Sequence, residues 1–144
     1  AADVKNVIRS ALALAEAHGV QLVLENIQDI TPQIRREMVE IIDSPALALS
    51  IDTGHAQIAQ RASDAPPVDV YVRDAGNLLK HVHLQDTDGY ADRHWAPGEG
   101  HIEWIEVFRA LGTLESAPHL VLELKRHEEI PAGFAHLQSI GAVV

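Results

Sequence analysis

The chain has no cysteine among its 144 residues, and that absence excludes disulfides, thiolate zinc centres and cysteine nucleophiles together. Any metal must then be held by His, Asp and Glu. Long apolar runs are also missing. Although 47% of the residues are hydrophobic, no stretch approaches the roughly eighteen apolar residues of a membrane span. The N-terminal stretch AADVKNVIRSALALAEAHGV lacks both the cationic start and the unbroken apolar core of a signal peptide. A soluble chain is expected, and its lack of thiols is compatible with the reducing cytoplasm, the expected location. Cations are scarce, with 11 Lys and Arg against 21 Asp and Glu, for a formal net charge of −10. Loose association with nucleic acid or anionic lipid depends on clustered Lys and Arg, so neither is an expected partner. No low-complexity tract or long linker divides the chain, and its length suits one domain.

What is present is an alternation of helical and strand patterns. DVKNVIRSALALAEAHG places Val4, Ile8, Leu12 and Ala15 on one helical face and ends at Gly19, a natural terminator. VQLVLENI reads as a strand. TPQIRREMVEIID reads as a helix with a Thr cap, Pro in its first turn, and Ile34, Met38 and Ile41 on one face. LALSIDTGH is a second strand, followed by short helices over HAQIAQRA and VDVYVRDAGN. LLKHVHLQD is a third strand, IEWIEVFRALG a helix, HLVLEL a fourth strand and IPAGFAHLQSIG a closing helix. This is an α/β pattern of parallel βα repeats, four strands starting about every 30 residues with helical crossovers. The strands are nearly continuous apolar runs, as in a sheet covered on both faces.

In parallel βα architectures the working groups stand at the carboxyl ends of the strands. The first strand ends in Glu25, the second in Asp52 followed by His55, the third in His83 and the fourth in Glu123. One such residue is unremarkable; one on every strand is a pattern. Three converging carboxylates would raise one another's pKa unless a cation neutralised them, so the simplest resolution is a divalent metal. Three oxygens and one imidazole, without sulfur, favour Mn²⁺, Mg²⁺ or Co²⁺, and Zn²⁺ is also compatible.

The loop after the third strand, DTDGYADRHWAPGEGH, folds over the mouth of the site. Its glycines permit a sharp turn, and Ile102 and Trp104 anchor the next helix. His81 shares the parity of His83 and either joins the site or is an interior histidine satisfied by a neighbour. Asp86 either orients an imidazole or simply starts the loop. His18, His101, His119, His127 and His136 read as structural or solvent-facing. LKRHEE reads as a solvated loop with Lys125 within reach of the mouth. Gly98 and Gly100 lack the register of a nucleotide cradle.

The pieces GVQLVLEN, LSIDTGHA, KHVHLQD, DRHWAPGEGHIEW and LVLEL, in that order, resemble the xylose isomerase-like TIM barrels. This family includes sugar isomerases and epimerases as well as the endonuclease IV branch. The resemblance implies a single domain over 1–144 that is the C-terminal half of a barrel, strands five to eight. It implies a metal held by Glu25, Asp52, His83 and Glu123, with Glu25 and Glu123 also the catalytic acid/base pair. His55 and Arg93 or His94 match positions that contact substrate oxygens. The implied function is a divalent-metal-dependent isomerase or epimerase of carbohydrate metabolism, manganese being one candidate ion. Its substrate would be a sugar, sugar phosphate or polyol, and it would work by carboxylate-mediated proton transfer through an enediolate.

Two other readings stand beside this one. In the endonuclease IV branch the positions matching Glu25, Asp52, His55, His83, Asp92, His94 and Glu123 ligate zinc for cleavage at abasic DNA, a reading opposed by the acidic balance. The other is a catalytically silent half-barrel that serves only as a fragment or assembling module. A full barrel needs about 250 residues, and this chain starts at Ala1 with Met38 its sole methionine. The expected partner is therefore a missing N-terminal half or a second copy, because four strands leave two edges unpaired.

Overall fold

The computed structural model describes residues 4–143. Helix α1 (Val4–His18) leads into strand β1 (Leu22–Glu25), then α2 (Gln33–Ile42), β2 (Leu47–Asp52), α3 (Thr53–Ser63), α4 (Val68–Ala75), β3 (Leu79–Leu84), α5 (Trp104–Leu111), β4 (His119–Leu122) and α6 (Ile130–Ser139). The strands lie in the order β1-β2-β3-β4, every pair parallel. The expected parallel βα alternation is thus present. Among the described residues no helix is long and apolar enough to cross a membrane.

Strand side chains alternate between faces, and here the alternation sorts chemistry. Leu49, Ile51, Val82 and Leu84 pack with Val39, Tyr71, Val72, Trp104 and Val107 into the main core. Each such fully buried side chain contributes about 1.5–3 kcal/mol relative to exposure. Ser50, Asp52, His81 and His83 occupy the alternate positions. Register sets Glu25 beside Ser50, Ser50 beside His81, and Asp52 beside His83. Leu12 and Ala15 of α1 form a smaller cluster with Ala46, against which Ile8 packs; the side chain of Val4 lies outside the described residues.

Three sequence expectations need correction. The Ile34, Met38 and Ile41 face of α2 is not its core face, for these residues are 58%, 40% and 82% exposed. Arg35 and Val39 turn inward instead. The reason is polar: Arg35 Nη1 donates to the carbonyls of Leu24 and Ser50 at 3.2 and 3.0 Å and its Nε pairs with Asp29, so its guanidinium closes the carbonyl ends of β1 and β2. Thr31 does not cap α2, which has Pro32 at its N-cap and no side-chain cap bond. Only β2 is buried along nearly its whole length, and β3 alternates buried Leu79, Val82 and Leu84 with half-buried Lys80, His81 and His83. β1 and β4 have one neighbour each and leave Val23 and Leu120 each 40% exposed.

Candidate metal and active site

Each strand end delivers its side chain to the same rim. His83 Nδ1 lies 2.9 Å from Glu25 Oε2 and 3.1 Å from Glu123 Oε2. That nitrogen is buried, yet its direction makes a hydrogen bond to neither oxygen. Ligand atoms of Asp52, His83 and Glu123 fall within 4.8 Å of one another, as do those of Glu25, Asp52 and His55, and those of Glu25, His81 and His83. Carboxylate oxygens and an imidazole nitrogen at this spacing, turned toward one another without hydrogen-bonding, fit donors that share a divalent ion.

The second layer of contacts is dense. Asn26, fully buried, brackets the backbone of Asp52: its amide donates to the Asp52 carbonyl at 3.0 Å, and its oxygen accepts from the Asp52 N–H at 2.8 Å. Asp52 caps α3 by accepting from the His55 N–H at 2.8 Å. His55 Nδ1 lies 2.9 Å from the Asn26 carbonyl. The Gln85 amide donates to Asp52 Oδ1 at 3.2 Å and to Asp92 Oδ1 at 2.7 Å. A Cβ on Gly54 would sit 2.3 Å from Gln85 Cδ, so that residue must be glycine for Gln85 to lie where it does. Ser50 Oγ lies 3.3 Å from Glu25 Oε2 and 3.0 Å from His81 Nδ1.

These contacts set the protonation behaviour. Burial is the main cause that pushes the Asp52 carboxyl above its ordinary range, and nearby Glu25 adds to it. At His55 burial acts against protonation, but Asp52, the Asn26 carbonyl, Asp92 and Glu25 outweigh it and raise the pKa. His94 is raised in the same way, burial being overcome by the Glu123 carbonyl and Asp92. Its two ring nitrogens face two acceptors, the Glu123 carbonyl at 3.1 Å from Nδ1 and Asp92 Oδ2 at 3.1 Å from Nε2, a pattern that favours the imidazolium. His94 has a left-handed backbone, φ +52°, and its N–H donates to Gln85 Oε1 at 3.0 Å.

The structure therefore brings Glu25, Asp52, His55, His83 and Glu123 to one place, with His94 tied to the carbonyl of Glu123. Arg93 takes another direction: its Nε and Nη2 contact Asp88, and its guanidinium lies over Trp95. Asp86 orients no imidazole. Its buried carboxylate accepts from the N–H groups of Thr87, Gly98 and Ile102 and from Trp104 Nε1, at 2.9, 2.9, 3.3 and 2.9 Å. It is the knot that shapes the loop after β3, assisted by Gly98 at φ +96°. Asn26, Ser50 and Gln85 were not singled out by sequence. Asn26 and Gln85 do flank strand ends, which was the available signal.

A family model described as xylose isomerase-like TIM barrel matches residues 2–140. The chain belongs to that family. Its four parallel strands and their helices form a partial TIM barrel, and a D-tagatose 3-epimerase-like protein of known structure superposes with a TM-score of 0.80 at 28% identity, over 94% of this chain and 52% of that one. An uncharacterized protein of Methanocaldococcus jannaschii is 36% identical over 107 residues, 68% of this chain and 34% of that protein. The fructoselysine 3-epimerase of Escherichia coli O157:H7 is 30% identical over 101 residues, 66% and 35% respectively. The matched region thus spans about half of the solved relative and about a third of the two curated ones.

Proposed function

We propose that this chain carries the metal- and proton-handling side of a sugar epimerase or isomerase active site. The observation that carries the reading is His83 Nδ1 set between Glu25 and Glu123 at 2.9 and 3.1 Å, with Asp52 alongside. Glu25, Asp52, His83 and Glu123 would hold a divalent ion, Mn²⁺, Mg²⁺ or Co²⁺ before Zn²⁺. When bound, the ion supplies Lewis acidity toward a ketose carbonyl and its neighbouring hydroxyl. Glu25 then takes the proton from the carbon next to the carbonyl, and Glu123 returns a proton to the opposite face or the adjacent carbon. His55, fixed by Asn26, presents Nε2 to a substrate oxygen, and His94 holds the Glu123 backbone in place. The epimerases among the relatives support a sugar as substrate.

The test is twofold. Calorimetric titration with Mn²⁺ is expected to give one site, lost in Glu25→Gln and His83→Asn. Solvent deuterium is expected to enter the α-carbon of a ketose only when Glu25 and Glu123 are both present. Stoichiometric metal binding with no exchange into any ketose would overturn the sugar reading.

A second reading draws on one observation. Asp92 Oδ2 stands 3.1 Å from His94 Nε2 and 3.6 Å from His55 Nε2, a further His/Asp set beside the first, as zinc phosphodiester hydrolysis at abasic DNA would use. Incubating the zinc-loaded protein with an abasic duplex separates the two readings: strand cleavage supports the second, and an intact duplex removes it.

A further inference from the structure

The chain is strongly acidic, yet one cleft beside the site collects three cations. Its volume is about 220 Å³, and Asp92, Arg93, Trp95, Lys125, Arg126 and Glu129 line it. A wider cleft of about 410 Å³ shares Trp95, Arg126 and Glu129 with it. Asp92 belongs to both places, as the cleft's wall and as the carboxylate facing His55 and His94. A ligand held at the strand ends thus has this cleft as its neighbour.

The cations are pre-set. Arg93 spends Nε and Nη2 on Asp88, at 3.3 and 3.1 Å, and its guanidinium carbon lies 5.4 Å from the Trp95 ring centre. That fixes the plane of the group and leaves the Nη1 hydrogens without a partner among the described residues. Arg126 is held by Glu129. Lys125 has no carboxylate partner among the described residues, and its backbone N–H donates to the His94 carbonyl at 3.0 Å, so its stem starts from a fixed point. With Arg93 and Arg126 each paired to an acid of its own, Lys125 is the cation of the cleft that has no such pairing among the described residues. Neutral sugar hydroxyls call for no surplus cation. A fixed guanidinium with spare donors beside a free ammonium is the donor set that recognises an oxyanion.

We propose that this cleft is an oxyanion subsite, so that the substrate carries a phosphate or carboxylate group seated on Lys125 and Arg93 while its reacting carbons lie at Glu25 and Glu123. The inference rests on the sugar reading above and narrows it to anionic sugars. Inorganic phosphate is titrated into metal-free protein at constant ionic strength maintained with chloride, and Trp95 fluorescence is followed, with Trp95→Phe as the control that shows the Trp104 signal alone. Saturable quenching is expected, weakened about tenfold or more by Lys125→Ala and restored to within a few fold by Lys125→Arg.

With metal restored, kcat/KM is compared for a ketose phosphate, a keto sugar acid and the unsubstituted ketose. The expected result is that Lys125→Ala lowers the charged-to-neutral ratio about tenfold or more through KM, and the arm that responds identifies the group. Phosphate binding that depends on Lys125, with no turnover of any sugar, would uphold the subsite and remove the sugar reading. Chloride competing as well as phosphate, or Lys125→Ala lowering charged and neutral substrates alike, would overturn the proposal.

Discussion

Ser50 has one hydroxyl hydrogen and two neighbours, Glu25 Oε2 at 3.3 Å and His81 Nδ1 at 3.0 Å. One assignment satisfies both: His81 donates from Nδ1 to Ser50, and Ser50 donates to Glu25. Burial, with the charge of His83 beside it, holds the His81 pKa below its ordinary value, which suits the neutral ring this assignment uses. Ser50→Ala is expected to weaken Mn²⁺ binding about 10- to 100-fold while leaving the thermal unfolding midpoint nearly unchanged. Calorimetry and circular dichroism check this, and unaltered affinity would show that Glu25 needs no such support. The strand-end acids were legible in sequence because a polar residue closing an apolar run is conspicuous. Ser50 was not, since a small hydroxyl inside a strand looks the same whether it packs or positions. His81 was legible only by parity, its partner being fixed by register between strands that lie 31 residues apart.

At the scale of elements, the loop between β3 and α5 turns on Asp86, whose carboxylate gathers three backbone N–H groups and one indole. Asp86→Ala leaves three buried donors and the part-buried Gly98 N–H without an acceptor, each buried one costing about 1–3 kcal/mol. A destabilisation of about 3 kcal/mol or more is therefore expected from urea unfolding, with Asp86→Asn milder because one acceptor remains. A midpoint like that of the parent chain would sink this account. Tyr71 joins α4 to the segment after β1 by donating to the Asp29 carbonyl. Burial, then the charge of Asp29, pushes its phenol up to about 12. The folded chain keeps that proton while the unfolded chain loses it near its ordinary value of about 10, so stability falls as pH rises from about 10 toward 12. Tyr71→Phe is expected to flatten that fall when urea midpoints are compared at several alkaline pH values.

Element order was readable because periodicity changes sharply along the chain. The inward face of α2 was not, because a helix with apolar residues on one side and Arg35 on the other looks outward-facing until the carbonyls of Leu24 and Ser50 are in place to receive the guanidinium.

For the whole molecule, the sheet's two outer strands each have a single neighbour, and Leu22, Val23, Leu120 and Val121 are between 36% and 40% exposed. Unpaired edges with apolar side chains template further pairing. The 144-residue chain by itself is expected to self-associate in sedimentation experiments despite its acidic charge, and Val23→Lys with Val121→Lys is expected to shift it toward monomer. Monodisperse behaviour of the parent chain across a wide concentration range would contradict this. The segment from Gln85 to Trp104, by contrast, is sewn down on both flanks: Asp86 bridges to Trp95, and the backbone of Lys125 joins that of His94. Such a segment behaves as a die and not a flap. Amide exchange at Asp86 and Trp95 should be as slow as in β3, and a ligand must match the contour it meets where these contacts hold the wall.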